Sequence, residues 1–355
     1  MEGRKRVLKP LTSTEIPVDD PIAAIELFME SGWTDGLPIV PPTPELVRRM
    51  LGDADPQEFI GYIPPKYGGA TLEKLAINAV MAGCKPAYLP VIRAGVKAML
   101  TETFNLHGVQ STTHMSTPAF VVNGPIARAL HINSQAGCLG SGFRANATIG
   151  RALRLVMMNL GGGIPGETDK ATFGHPGKYA YLWAENEEES PWEPFHVERG
   201  FRAEESTITA YSCEPPHNIN NHAERDPFQI LYGIAGAMKG TGHNNFYVMG
   251  DTMVVLCPEH AVSIAEHNWR KRDVKYYLWE KARQPLRELK YNGMYGAEYK
   301  KNFWPRWVDR EDEETLAPIV RTPDDILVFV AGGKGRHSVF IPGWGTRAVT
   351  QKVEV

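Results

Sequence analysis

The chain lacks most of what marks a common function class. Only four cysteines occur in 355 residues: Cys84, Cys138, Cys213 and Cys257. None forms a Cys-x-x-Cys pair, and their spacings fit no zinc ribbon or finger. The apolar runs AFVVNG and MVVLC are strand-sized and far short of a membrane span. The basic start MEGRKRVLKPLTSTEIP has no apolar core behind it, so it does not read as a secretory signal. The formal net charge is −3, which advertises neither nucleic acid nor an anionic membrane as a partner. There is no Gly-Lys-Ser/Thr after a phosphate loop, no dinucleotide glycine spacing, and no HxH or HExxH pairing. No internal repeat stands out. These absences predict a cytoplasmic protein with reduced thiols and no nucleotide cofactor motif.

What is present is an ordinary globular composition, 43% hydrophobic and 22% charged. The length suits two domains, or one large α/β domain with an elaborated edge. The 34 glycines and 27 prolines cluster between periodic segments, which predicts site-building loops. Residues 1–100 read as mostly helical: Asp20-Pro21, Thr43-Pro44 and Thr71-Leu72 are cap signals, followed by a helix over KPAYLPVIRAGVKAML. Residues 101–355 read as an α/β core with a mixed sheet and a glycine-rich strand-loop-helix. TPAFVVNG, YAYLWAEN, STITAYS, NFYVMGDTMVVLC and DILVFVAGG are its strands. DPFQILYGIAGAMKG, PEHAVSIAEHNW and DVKYYLWEKARQPLREL are its helices. The aromatic and charged stretch 290–318 reads as a lid-like insert or a subunit contact. The basic N-terminus reads as a mobile arm or one that packs on a partner subunit, and a homo-oligomer is expected.

The stretch GCLGSGFRANATIGRALR, residues 137–154, is the strongest site signal. Gly140, Ser141 and Gly142 precede a helix whose free N–H groups suit an anion. Arg144 lies in the first turn, Arg151 about 20° from it around the helix, and Arg154 roughly 60° further. With Asn146, they predict a carboxylate or phosphate site, or else a solvated arginine face over structural glycines. Cys138 inside the loop is a candidate nucleophile, because a helix N-terminus and arginines favour a thiolate; a small buried hydrophobe is the alternative.

Histidines fall in loops at strand ends. His107 and His114 lie in NLHGVQSTTH, His217 and His222 in EPPHNINNH, His243 in TGHNNF, and His260 in CPEHA. His114, His217 and His222 are candidates for proton transfer or for holding a divalent metal. The cluster at 161–188 adds Asp169, His175, Lys178 as an anion binder and Glu185 as an acid or base. AGGKGRH (331–337) would add backbone N–H groups with Lys334 or His337.

Several stretches carry a family resemblance: SGWTDGLPIVPPT, INAVMAGCKPAYLPV, NLHGVQSTTH, RANATIGRALRL, GHPGKY, AENEEESPWEPFHVERGF and PEHA. Over roughly residues 31–341 the chain resembles a largely uncharacterised bacterial family associated with UGSC-type (seleno)protein domains. The resemblance implies a bacterial enzyme. The chain has no Cys-Gly-Ser-Cys motif, so a redox element would come from a separate redox protein partner.

Three functions are therefore expected in turn. The first is a lyase or hydrolase acting on a small anionic, carboxylate-type substrate. The second is a thiol-dependent oxidoreductase subunit, and the third is a non-catalytic scaffold.

Overall fold

The computed structural model describes residues 9–292 and 304–354. The first segments form where their caps stand. Asp20 accepts from the N–H groups of Ile22 and Ala23 and starts the helix Pro21–Glu30. Thr43 caps Pro44–Leu51 and Thr71 caps Leu72–Met81. Between the last two lies a hairpin that the helical reading of this region misses, β1 (Phe59–Ile63) and β2 (Gly68–Thr71). The arm from Lys9 onward packs on its own chain. The Thr12 and Ser13 N–H groups both donate to the buried Glu73 carboxylate, at 3.0 and 2.8 Å.

The remaining strands are β3 (Thr117–Asn123), β4 (Leu182–Ala184), β5 (Thr207–Cys213), β6 (His217–Asn220), β7 (Thr252–Leu256), β8 (Arg283–Pro285), β9 (Leu316–Pro318), β10 (Ile326–Val330), β11 (His337–Ile341) and β12 (Val349–Lys352). Two four-stranded sheets dominate, in the orders β12-β5-β3-β4 and β6-β11-β7-β10. Both are mixed, as the sequence implies, and both obey one pattern. A parallel pair (β3 with β4, β7 with β10) is followed by an antiparallel strand (β5, β11) and then an antiparallel edge (β12, β6).

The chain thus does contain a repeat, one of topology rather than of evident sequence. Each half runs strand, helix, parallel strand, antiparallel strand. Each then sends its last strand to the other half's sheet: β6 follows β5 but pairs with β11, and β12 follows β11 but pairs with β5.

Strand alternation sorts the side chains into layers. On β3, Ala119 and Val121 face one way with Trp183, Tyr211, Met253, Val255, Leu327, Phe329 and Ile341, which come from both sheets. Phe120 and Val122 face the other way, onto the helices Leu72–Met81, Leu89–Met99 and Arg144–Asn159. Val254, Leu256, Val328 and Val330 face the helices Pro227–Met238 and Lys271–Lys281. The result is a sandwich of helices, sheet, sheet, helices. Phe195 and Phe329 pack with ring centroids 4.2 Å apart in the middle layer. Burying each such side chain contributes roughly 1.5–3 kcal/mol. The core on the outer face of the first sheet runs from Ile39 to Val353, with no break at residue 100.

The sheets touch at one end, where Cys213 bridges to Gly343 and the Tyr211 hydroxyl donates to the Ile341 carbonyl at 2.8 Å. A Cβ at Gly343 would stand 2.0 Å from the Asp251 carbonyl oxygen, so this close approach requires glycine.

Three boundaries differ from expectation. Asn245–Val248 is a helical turn, and only Thr252–Leu256 of that stretch is strand. The helix expected over residues 273–289 breaks after Lys281 into β8 and a further helix, Leu286–Asn292. In the aromatic stretch, residues 293–303 lie outside the described residues. Beyond them Trp304 and Val308 are buried in the core of the second half and β9 pairs with β8, so this part is packed into the body rather than standing off as a lid.

Candidate active site

The two ends of the sandwich are chemically different. At the first end lie the starts of β3, β4 and β7 and the finishes of β5 and β11. The second end lies beyond Asn123, Ala184, Leu256 and Val330. A seven-residue strand such as β3 separates the two by about 20 Å.

At the first end, loops from both halves surround the carboxylate of Glu214, just past β5. His114, three residues before β3, contacts Glu214 Oε1 through Nε2 at 3.0 Å. His243, in the segment leading to β7, places Nδ1 at 3.9 Å from Oε2, an ion-pair rather than hydrogen-bond distance. The Ser116 N–H donates to His114 Nδ1 at 3.0 Å. A backbone N–H can only donate, so the neutral His114 ring carries its proton on Nε2, which donates to Glu214. Burial raises the Glu214 pKa, but the two imidazoles beside it outweigh burial and bring it to about 2. The site opens to solvent here: side chains of His114, Glu214 and His243 are 20%, 17% and 21% exposed. Trp344 and Phe340 flank the histidines, with ring centroids 6.4 Å from His114 and 5.3 Å from His243.

Deeper in, His175 caps the turn Pro176–Lys178, its Nδ1 accepting the Gly177 N–H at 3.2 Å. Its proton is therefore on Nε2, which is buried and has no partner. Burial, with the nearby Lys178 cation second, pushes the His175 pKa down to about 4, so the ring is neutral at pH 7. The Tyr181 ring stands 6.0 Å from His175 and 5.5 Å from Trp183. Burial raises the Tyr181 pKa, so its phenol stays a donor. Tyr181 Oη, Trp183 Nε1 and Ser116 Oγ are also buried without partners. Buried polar groups are normally satisfied, and a group of orphaned donors at one end calls for an acceptor.

The second end holds many charges and pairs them. Glu185 is fully buried and accepts from Asn123 Nδ2 at 2.6 Å, the Phe195 N–H at 2.7 Å and Lys271 Nζ at 3.4 Å. Glu187 accepts the Gly124 N–H at 2.7 Å, and Glu198 takes Lys275 and Lys271. This network ties β3, β4 and the helices Phe195–Glu198 and Lys271–Lys281 together. Glu185 is accordingly an anchor, not an accessible acid or base.

The glycine loop also lies at the second end, away from His114. Gly140, Ser141 and Gly142 are exposed. Asn146 is buried and spends its amide on Asn133 and on the Cys138 carbonyl, stapling the loop. Arg151 makes a bidentate contact with Asp35 at 2.8 Å and also holds the carbonyls of Leu37 and Pro38. Arg154 and Lys178 share the buried Asp169, at 3.4 and 2.7 Å. Arg144 donates to the Gly83 carbonyl. The expected arginine stripe is thus three separate contacts, and Lys178 is neutralised by its neighbour. Cys138 is buried, and burial pushes its thiol up to about 11, against the thiolate expected from the helix N-terminus. Cys84 is pushed up to about 12, and Cys213 and Cys257 are raised by burial as well.

Nor do the three metal-candidate histidines converge. His114 is at the first end. His217 is exposed on β6 opposite Phe340. His222 meets His337 at 3.1 Å at the second end. Among the described residues no group of three His, Cys, Asp or Glu side chains, the His114–Glu214–His243 cluster included, has the arrangement to hold a metal ion. Among those residues, too, no helix is long and apolar enough to cross a membrane.

Sequence reading missed Glu214, Tyr181 and Trp183. Glu214 carried a signal: an acid directly after a strand and before a proline pair. No family model matches the chain, and no curated protein matches it.

Proposed function

We propose that the protein is a cytoplasmic bacterial enzyme acting on a small carboxylate-type anion by lyase or hydrolase chemistry, with its active site at the Glu214 end. The observation that carries this reading is the set of buried, partnerless donors around an ionised carboxylate flanked by two imidazoles. His175 Nε2–H and Tyr181 O–H are neutral, desolvated donors. They bind a substrate oxygen and strengthen as negative charge develops on it. Glu214 orients His114 through Nε2. His243 exchanges the proton with substrate through its other ring nitrogen, and Glu214 stabilises the imidazolium that forms. No hydrogen bond among the described residues occupies His243 Nε2. Burial of all four thiols removes support from the thiol-dependent alternative.

The test is calorimetric titration with acetate, malonate, succinate and benzoate, beside the matching amides. At least one carboxylate saturates the wild type, its amide does not, and His175→Phe weakens binding tenfold or more. The absence of any carboxylate binding, or equal binding by His175→Phe, removes the reading.

A further inference from the structure

Most of the buried or half-buried arginines and lysines described above are paired with a carboxylate. Three exposed cations without a carboxylate partner stand together at one cavity. Arg49, Lys85 and Arg144 line a cavity of about 580 Å³ between the helix Pro44–Leu51, the turn at Pro86 and the start of the helix Arg144–Asn159. None of the three forms an ion pair among the described residues, and no acidic residue lines the cavity. The walls are apolar: Val40, Leu46, Met50, Val80 and Pro86. Arg144 is held in place, its Nε and Nη2 both donating to the Gly83 carbonyl at 3.1 and 2.9 Å. The guanidinium is therefore positioned without being neutralised. A preset cationic rim over an apolar pocket of this size is complementary to one ligand class.

We infer that this cavity is a second binding site, for an amphipathic anion: a carboxylate or phosphate head at Arg49, Lys85 and Arg144, and an apolar tail of several carbons against the pocket wall. The site is separate from the Glu214 end. Arg144 begins a helix on which Arg154, whose partner Asp169 also holds Lys178 beside His175, lies ten residues and about 15 Å further on. The ligand therefore acts as an effector or a carried group rather than as the anion held by His175.

Calorimetric titration of the full chain with octanoate, octyl phosphate, octanol and octylamine tests this. Octanoate or octyl phosphate binds with a Kd below 1 mM, and whichever is tighter identifies the head. Octanol and octylamine bind at least tenfold more weakly. Lys85→Glu, and separately Arg49→Ala with Arg144→Ala, each weaken the anion tenfold or more, while His175→Phe leaves its affinity unchanged. All three cations are exposed, so these variants keep the fold, as circular dichroism verifies. Three outcomes overturn the proposal: neither anion binds, octanol binds as tightly as octanoate, or Lys85→Glu binds as wild type. Loss of octanoate binding in His175→Phe assigns the anion to the other end and overturns it too.

Discussion

The two ends of the sandwich use similar residues for opposite purposes. Beyond Asn123 and Ala184, three glutamates meet two lysines and several N–H groups, so nearly every charge is answered, although the buried His196 ring there keeps both nitrogens without a hydrogen bond. Around Glu214, His175, Tyr181 and Ser116 keep donors that nothing among the described residues accepts from. Closed networks lock elements together, whereas orphaned donors cost stability and persist where something outside the chain completes them. Charge density alone would have pointed to the wrong end.

Breaking the closed end has the largest expected effect. Lys271→Met leaves Glu185 buried without its lysine and costs about 3–5 kcal/mol by urea unfolding, with carboxylate affinity per folded molecule unchanged. A loss under about 1 kcal/mol would show that the network is not closed.

Acid sharpens the contrast next. The folded pKa of His175, about 4, lies below its ordinary 6.5. Between the two, the unfolded chain binds the extra proton, so stability is complete above pH 6.5 and lost as pH falls to 4. The loss is on the order of 2 kcal/mol after solvent screening. Glu214, lowered to about 2 from 4.5, adds a loss below pH 4.5. His175→Phe reduces the upper slope in pH-dependent unfolding, of which the buried His260, also lowered, keeps a share, and leaves the lower one.

Tyr181→Phe is expected to change stability by less than about 1 kcal/mol in either direction, because it removes a hydroxyl that has no partner. It nevertheless weakens carboxylate binding tenfold or more by calorimetry, the reverse of Lys271→Met. The smallest effect concerns the thiols. None of the four reacts with iodoacetamide within an hour at pH 7.5 in the native state, and all react in urea, as mass spectrometry reports.

Much of the fold is legible in the sequence. Continuous apolar runs mark β3, β7 and β10, and proline-flanked caps mark the first helices. The exchanged strands are not legible. HNIN and VTQK are four-residue edges without alternation, and their partners lie in the other half of the chain. The arginine spacing is read correctly, but its meaning depends on Asp35 and Asp169, which no local pattern links to it. His114 is found because it is a loop histidine at a strand start. Tyr181 and Trp183 read as core, because an apolar strand does not reveal which of its polar atoms lacks a partner.

A crystal structure of the protein soaked in malonate bears most directly on the Glu214 end. The account predicts a carboxylate oxygen within hydrogen-bond distance of both His175 Nε2 and Tyr181 Oη. A dry site, with those two atoms bonded to protein acceptors instead, would contradict it.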